Sequence, residues 1–227
     1  MQLRLDALAA HLAKGKFARV YTVAGDEPLL ANEAIDAIRA AARAAGFTER
    51  NVLFASARFD WWQLTQAAQG LSLFAERKIV EVRLPSGKPG RTGGDALKQH
   101  AAGGSDDVLT LVTLPKLDKT ARTSGWATAL EAAGVWIDVM RIERAQLPAW
   151  IRTRLGRQQQ SAEREALEFI ADRVEGNLLA AHQEIAKLGL LYPPGPLSLE
   201  QVTDSVLNVA RFGVFDLPAV MLAGERA

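Results

Sequence analysis

Cysteine is absent from all 227 residues. No disulfide can staple this fold and no thiolate can hold a metal, which suits a reducing compartment; a cytoplasmic location is expected. The three histidines, His11, His100 and His182, are scattered along the chain and make no metal constellation, so no metal site is expected. An excess of one charge sign is missing too: 27 Lys and Arg against 26 Asp and Glu leave a formal net charge of +1. That balance argues against a highly basic nucleic-acid coat, although a local basic patch fits inside a balanced total. Long apolar runs are lacking; no stretch reaches the ~18 consecutive apolar residues of a membrane span. The start, Met1-Gln2-Leu3-Arg4-Leu5-Asp6, lacks the pattern of a cleaved signal, so neither secretion nor a membrane partner is expected. What the chain does hold is 48% hydrophobic residues, enough to bury the core of one large domain or two modest ones.

Hydrophobic periodicity divides the chain near residue 140. In the first part helical and strand patterns alternate. Residues 3–14 place Leu5, Leu8, Ala9 and Leu12 on one helical face closed by Gly15, and 29–45 align Ile35, Ile38 and Ala42. Strands are expected at 17–24, 51–56, 78–84, Val108–Leu114 and Val135–Val139, with further helices at 61–68 and 121–133. The unbroken apolar run Val108–Leu114 implies a strand buried on both faces of a parallel sheet. Asp60 is placed to cap the helix that Trp61 and Trp62 open. Both tryptophans are expected in the core, since adjacent helical side chains diverge by about 100° and make no common stacking platform. Residues 85–94 hold two prolines and four glycines and read as a flexible surface loop. This alternation predicts an α/β fold, a doubly wound parallel sheet with helices on both faces.

After Met140 the strand patterns stop. Helical periods at 146–159, 163–174, Leu178–Leu191 and 199–209 predict a small helical domain, with Asn177 as a helix start. Arg152, Arg154 and Arg157 make its first helix locally basic; they are expected to face water, with DNA phosphate as the alternative. Another helix begins at Asp216 and is left at Ala227.

The strand-turn-helix at 17–45 is where a nucleotide-binding fold places its phosphate loop. That loop needs glycines whose N–H groups surround phosphate, a Lys for charge and a Ser or Thr for magnesium. The turn here reads Gly25-Asp26-Glu27-Pro28, one glycine and two acids with no Lys-Thr pair. Two carboxylates repel phosphate while suiting the positive end of the helix as caps. The apolar strand 108–114 ends in Pro115-Lys116-Leu117-Asp118, where an ATPase would present acids to magnesium. No cofactor and no catalytic residue are expected.

One stretch carries a more particular signal. A helical pattern stops at Gly70 and a strand pattern starts near Lys78, which leaves Leu71, Leu73 and Phe74 on the connection. Large apolar side chains there are either core plugs or anchors for a partner. Gln69-Gly70-Leu71-Ser72-Leu73-Phe74 resembles the short peptide with which bacterial replication proteins dock on the sliding clamp. With Val23-Ala24-Gly25-Asp26-Glu27-Pro28-Leu29-Leu30, Leu114-Pro115-Lys116-Leu117-Asp118, Gln146-Leu147-Pro148-Ala149-Trp150 and Gly176-Asn177-Leu178-Leu179-Ala180-Ala181, the chain resembles the delta-subunit family of the bacterial DNA polymerase III clamp loader along its whole length.

The resemblance implies a RecA-like (AAA+) domain at 1–140 carrying the clamp-binding element, a helical lid at 141–210, and at 211–227 the start of a collar domain that the chain leaves truncated. It implies a subunit that opens the sliding clamp during DNA replication without hydrolysing ATP. Gln69, Leu71, Ser72, Leu73 and Phe74 would bind the clamp, with Leu73 and Phe74 as anchors and Gln69 at the pocket rim. The implied partners are the clamp (beta subunit), the loader's motor and delta-prime subunits through the collar, and primer-template DNA indirectly. The family's DNA polymerase (nucleotidyltransferase) class belongs to the holoenzyme. Two other readings are a P-loop-type ATPase with a degenerate site, and a nucleic-acid-binding module using Trp61, Trp62 and the arginines of 152–157.

Overall fold

Six parallel strands frame the first part of the chain in the computed structural model, which describes residues 1–69 and 77–207. They are β1 (Gln2–Leu3), β2 (Val20–Gly25), β3 (Phe47–Phe54), β4 (Arg77–Arg83), β5 (Val108–Leu114) and β6 (Val135–Val139). Their order across the sheet is β1-β6-β2-β5-β4-β3. Between them run α1 (Leu8–Leu12), α2 (Pro28–Ala44), α3 (Trp62–Gln69), α4 (Gly90–Ala102), α5 (Lys119–Arg122) and α6 (Gly125–Ala133). The chain separates into two compact units, Met1–Arg141 and Ile142–Ala227.

Strand alternation sends side chains to two apolar layers. On one face Val80, Val82 and Val112 meet Trp61, just before α3, and Leu64, Leu97, Trp126 and Leu130, brought by α3, α4 and α6. On the other, α2 buries Leu30, Ala34, Ile35, Ile38 and Ala42, and α1 brings His11 to Tyr21 of β2. This is the expected doubly wound α/β sheet, and β5 is buried along almost its whole length because helices cover both sides.

Several local expectations need correction. Residues 3–14 are not one helix: Gln2 and Leu3 pair with Trp136 and Ile137 of β6, and a 3-10 turn at Leu5–Ala7 precedes α1. Edge pairing, including the Trp136 N–H to Met1 carbonyl bond at 2.9 Å, outweighs the helical pattern. The stretch 85–94 is not all loop, because α4 starts at Gly90 and buries Gly93 and Gly94. A Cβ on Gly93 would lie 2.4 Å from the Trp61 indole, so glycine here permits close packing instead of flexibility. Residues 121–133 form two helices broken at Thr123 and Ser124, where the Ser124 hydroxyl donates to the Ala121 carbonyl at 2.6 Å. β3 begins at Phe47, earlier than expected, and Trp61 is buried as expected whereas Trp62 is 60% exposed.

The second unit contains α7 (Leu147–Arg157), α8 (Arg164–Arg173), α9 (Leu178–Leu191) and α10 (Leu199–Leu207), packed through Leu147, Ile151, Leu155, Leu167, Ile170, Ile185, Leu188 and Val202. Asn177 starts α9 as expected, its side-chain oxygen accepting the Ala180 N–H at 3.1 Å. Strands do not stop at Met140: β7 (Gln160–Ala162) and β8 (Gly195–Leu197) pair in parallel. Pro193 and Pro194 forbid continuation of α9, and the Gln160 amide donates to the Leu188 and Tyr192 carbonyls at 3.1 and 2.8 Å, fixing the turn. Arg152 and Arg157 face water, but Arg154 is buried with its guanidinium 4.6 Å from the Trp150 ring centre. The helix expected from Asp216 lies outside the described residues.

Candidate functional site

Topology marks one place where a ligand site would form. β2 and β5 are neighbours whose connections leave in opposite directions, α2 toward β3 and α5 with α6 toward β6. In open parallel sheets the crevice at the carboxyl ends of such a strand pair is the usual nucleotide position. Here it holds Gly25-Asp26-Glu27-Pro28. Asp26 Oδ1 accepts the Lys116 backbone N–H at 3.0 Å, tying this turn to the segment after β5. The expectation that Asp26 and Glu27 both cap α2 is therefore corrected: Glu27 occupies the N-cap position without a side-chain cap bond, and Asp26 bridges two loops. Asp118 is committed elsewhere, accepting the Ala121 N–H at 2.8 Å at the start of α5. A Cβ on Gly25 would meet the Val139 carbonyl at 2.2 Å, so this glycine serves contact with β6.

The other candidate is built by α3. Asp60 Oδ1 accepts the Trp62 N–H at 3.0 Å and opens the helix, as the sequence predicts. Trp61 packs edge-on against Phe59 with centroids 5.1 Å apart, and Leu64 is buried beneath the helix. These contacts fix the direction in which α3 delivers its last residue, Gln69, which is exposed. Leu71, Ser72, Leu73 and Phe74 lie outside the described residues, and the described chain resumes at Arg77 in β4.

Beside Gln69 a cavity of about 340 Å³ opens between α3, α4 and the starting ends of β2 and β5, lined by Arg19, Thr65, Gln99, His100 and Thr110 among others. His100 Nε2 lies 2.7 Å from the Thr110 hydroxyl. Burial, with nearby Arg19 adding to it, pushes the imidazole below its ordinary value and keeps it neutral at pH 7. Sequence reasoning missed this cavity because α4 itself was hidden by its glycines. Among the described residues no cluster of three or more His, Asp or Glu side chains is placed to hold a metal, and no helix is long and apolar enough to cross a membrane.

Comparison with known proteins gives a consistent result. The family described as "DNA polymerase III, delta subunit" matches residues 21–140. DNA polymerase III subunit delta of Escherichia coli (strain K12) is 32% identical over 225 residues, covering 99% of this chain and 65% of the relative. The Haemophilus influenzae protein of the same name is 30% identical over 223 residues, covering 97% and 64%. The chain thus spans just under two thirds of these relatives. Among solved structures, the Bacillus subtilis DNA clamp loader delta protein superposes with a TM-score of 0.67 at 18% identity, over 98% of this chain and 73% of that one. The Thermotoga maritima RuvB Holliday junction branch migration motor gives 0.51 at 15% identity, over 90% and 66%. Both share the α/β fold.

Proposed function

The chain belongs to the DNA polymerase III delta subunit family, and from that premise we propose that it binds and opens the sliding clamp during DNA replication without hydrolysing ATP itself. The observation that carries this reading is the course of α3, which ends on the exposed Gln69 and leads into Ser72-Leu73-Phe74. Leu73 and Phe74 anchor in an apolar pocket on the clamp, Leu71 and Ser72 shape the approach, and Gln69 makes a polar contact at the rim. Each buried anchor contributes roughly 1.5–3 kcal/mol. Together they separate micromolar from nanomolar binding. Docking alone opens nothing, since a ligand with equal affinity for closed and open rings shifts no equilibrium. Part of the binding free energy therefore favours the open ring, with α3 as the lever that carries the anchors.

The nucleotide position supports a subunit without its own motor. Asp26 sets a carboxylate in the turn where a phosphate loop would stand, and its bond from the Lys116 N–H ties that turn to the segment after β5. In this reading residues 1–140 are the RecA-like domain, 141–210 the helical lid, and 211–227 the beginning of a collar. Through that collar the subunit joins the motor and delta-prime subunits in the cytoplasm. Primer-template DNA is then a partner of the assembled loader, and nucleotidyl transfer belongs to another chain. The test is gel filtration of these 227 residues with a bacterial sliding clamp carrying a fluorophore pair across its ring interface. Co-elution with loss of energy transfer is expected; separate elution at tens of micromolar defeats the reading.

A further inference from the structure

β3 is the outermost strand on its side of the sheet, and among the described residues no strand pairs with its free edge. The Ala55 N–H donates to the Arg83 carbonyl at 2.8 Å, so by alternation Leu53 and Asn51 also turn their backbone groups to β4. The N–H groups of Arg50, Val52 and Phe54 therefore point outward. Side chains of the same three residues share one face, the one on which Arg50 and Arg39 of α2 meet Glu81, while Leu53 packs into the core on the other. α2 does not reach the end of the strand, and Val52 and Phe54 are 44% and 58% exposed. Natural sheets blunt such edges with Pro, Lys or a bulge. The stretch 50–54 has none of these, and its one charge, Arg50, is drawn to Glu81.

Charge selects what covers this edge. Arg39, Arg50 and Arg83 share the carboxylates of Glu81 and Asp36, so three cations face two anions and one positive charge is left over. Arg83 is the loosest member, 3.7 Å from Glu81, with its side chain 40% exposed and its guanidinium carbon 5.9 Å from the Phe54 ring centre. We propose that the β3 edge docks an extended segment of a partner protein in which carboxylates alternate with apolar side chains. The segment adds a strand beside β3: its backbone accepts the Arg50, Val52 and Phe54 N–H groups, its apolar side chains cover Val52 and Phe54, and a carboxylate pairs with Arg83. A second copy of this chain is a poor occupant, because its own β3 would bring more arginine to a surface already in positive excess. Neither Gln69 nor any residue between it and β4 takes part, so clamp binding and this contact stand or fall separately.

The test titrates the 227-residue chain at low salt with two labelled octapeptides, one alternating Val with Glu and one alternating Val with Lys. The Glu peptide is expected to bind about tenfold more tightly than the Lys peptide. At saturation it should slow hydrogen exchange of the Arg50, Val52 and Phe54 amides and leave Asn51 and Leu53, already bonded to β4, unchanged. Phe54→Ala should weaken the Glu peptide about tenfold and Arg83→Gln about threefold, with unchanged denaturant midpoints. Val52→Pro removes one outward donor and no bond to β4, and should abolish the slowed exchange. Equal binding of the two peptides, unaltered exchange at the three outward amides, or parent-like affinity in Phe54→Ala each overturns the proposal. Sedimentation of the chain without peptide is expected to show a monomer. A dimer that Phe54→Ala splits would make a second copy the occupant, and the proposal would be wrong.

Discussion

Glu81 stands in the middle of the apolar strand β4 with no surface exposed to water. Arg39 from α2 reaches it with Nε at 2.6 Å and Nη2 at 2.7 Å, and Arg50 from β3 adds Nε at 2.6 Å. Burial by itself would raise this carboxyl, but the hydrogen bonds from Arg39 and Arg50 outweigh it and hold the group below its ordinary value of 4.5. Because the folded value lies below the unfolded one, the stabilisation is present above about pH 4.5 and is lost as pH falls through the lowered value. Breaking a buried ion pair costs about 3–5 kcal/mol, less where the partners can reach water. Arg39 and Arg50 retain 18% and 36% exposure, so we expect Glu81→Gln to lose about 2 kcal/mol at pH 7. The variant should also show a smaller loss of stability between pH 5 and pH 3. Urea midpoints at the three pH values measure this, and a neutral-pH change within about 0.5 kcal/mol, the usual range for surface positions, would show that the network adds nothing.

At the scale of elements, legibility followed the length of the period. α2, β5, β6, α8 and α9 carry enough repeats for burial to impose a visible pattern, and the structure places them where that pattern does. β1, β7 and β8 are two or three residues long, too short for alternation to register, and exist because backbone groups need partners. α4 was concealed for a different reason, since its glycines suppress the helical signal while serving the contact with Trp61 and Trp126. The candidate site divides likewise: the lack of phosphate chemistry at Gly25-Asp26-Glu27-Pro28 is a matter of residue types and was readable. The bond from Asp26 to Lys116 and the exposure of Trp62 depend on tertiary placement and were not. The close fit at Gly93 makes a sharp expectation. In an open helix Gly→Ala gains about 1 kcal/mol, yet here the new methyl would overlap the indole, so Gly93→Ala should cost about 1–3 kcal/mol. A thermal melt decides the sign, and a stabilised variant would mean that α4 and Trp61 move apart freely.

For the whole molecule, the question is what a nucleotide-type fold does when the turn at its nucleotide position, Gly25-Asp26-Glu27-Pro28, carries no phosphate-binding Lys or Thr. Magnesium and ATP should neither bind nor turn over on the purified chain, as judged by a fluorescent ATP analogue and by phosphate release. Hydrolysis that requires magnesium and disappears in Asp26→Ala would restore the ATPase reading. If the sheet is only a scaffold, the work passes to the segment that α3 presents, and the fates of Leu73 and Phe74 separate the possibilities. As core plugs, the two changed to Ala would lower stability by roughly 2–5 kcal/mol each. As anchors they should leave stability within about 0.5 kcal/mol per site while removing the dominant contacts with a partner. The decisive measurement pairs a denaturant midpoint with clamp affinity for the Leu73→Ala, Phe74→Ala double variant. A parent-like midpoint with no measurable clamp binding is the predicted result; a variant that unfolds readily, or one that stays folded and still binds and opens the clamp, would contradict it.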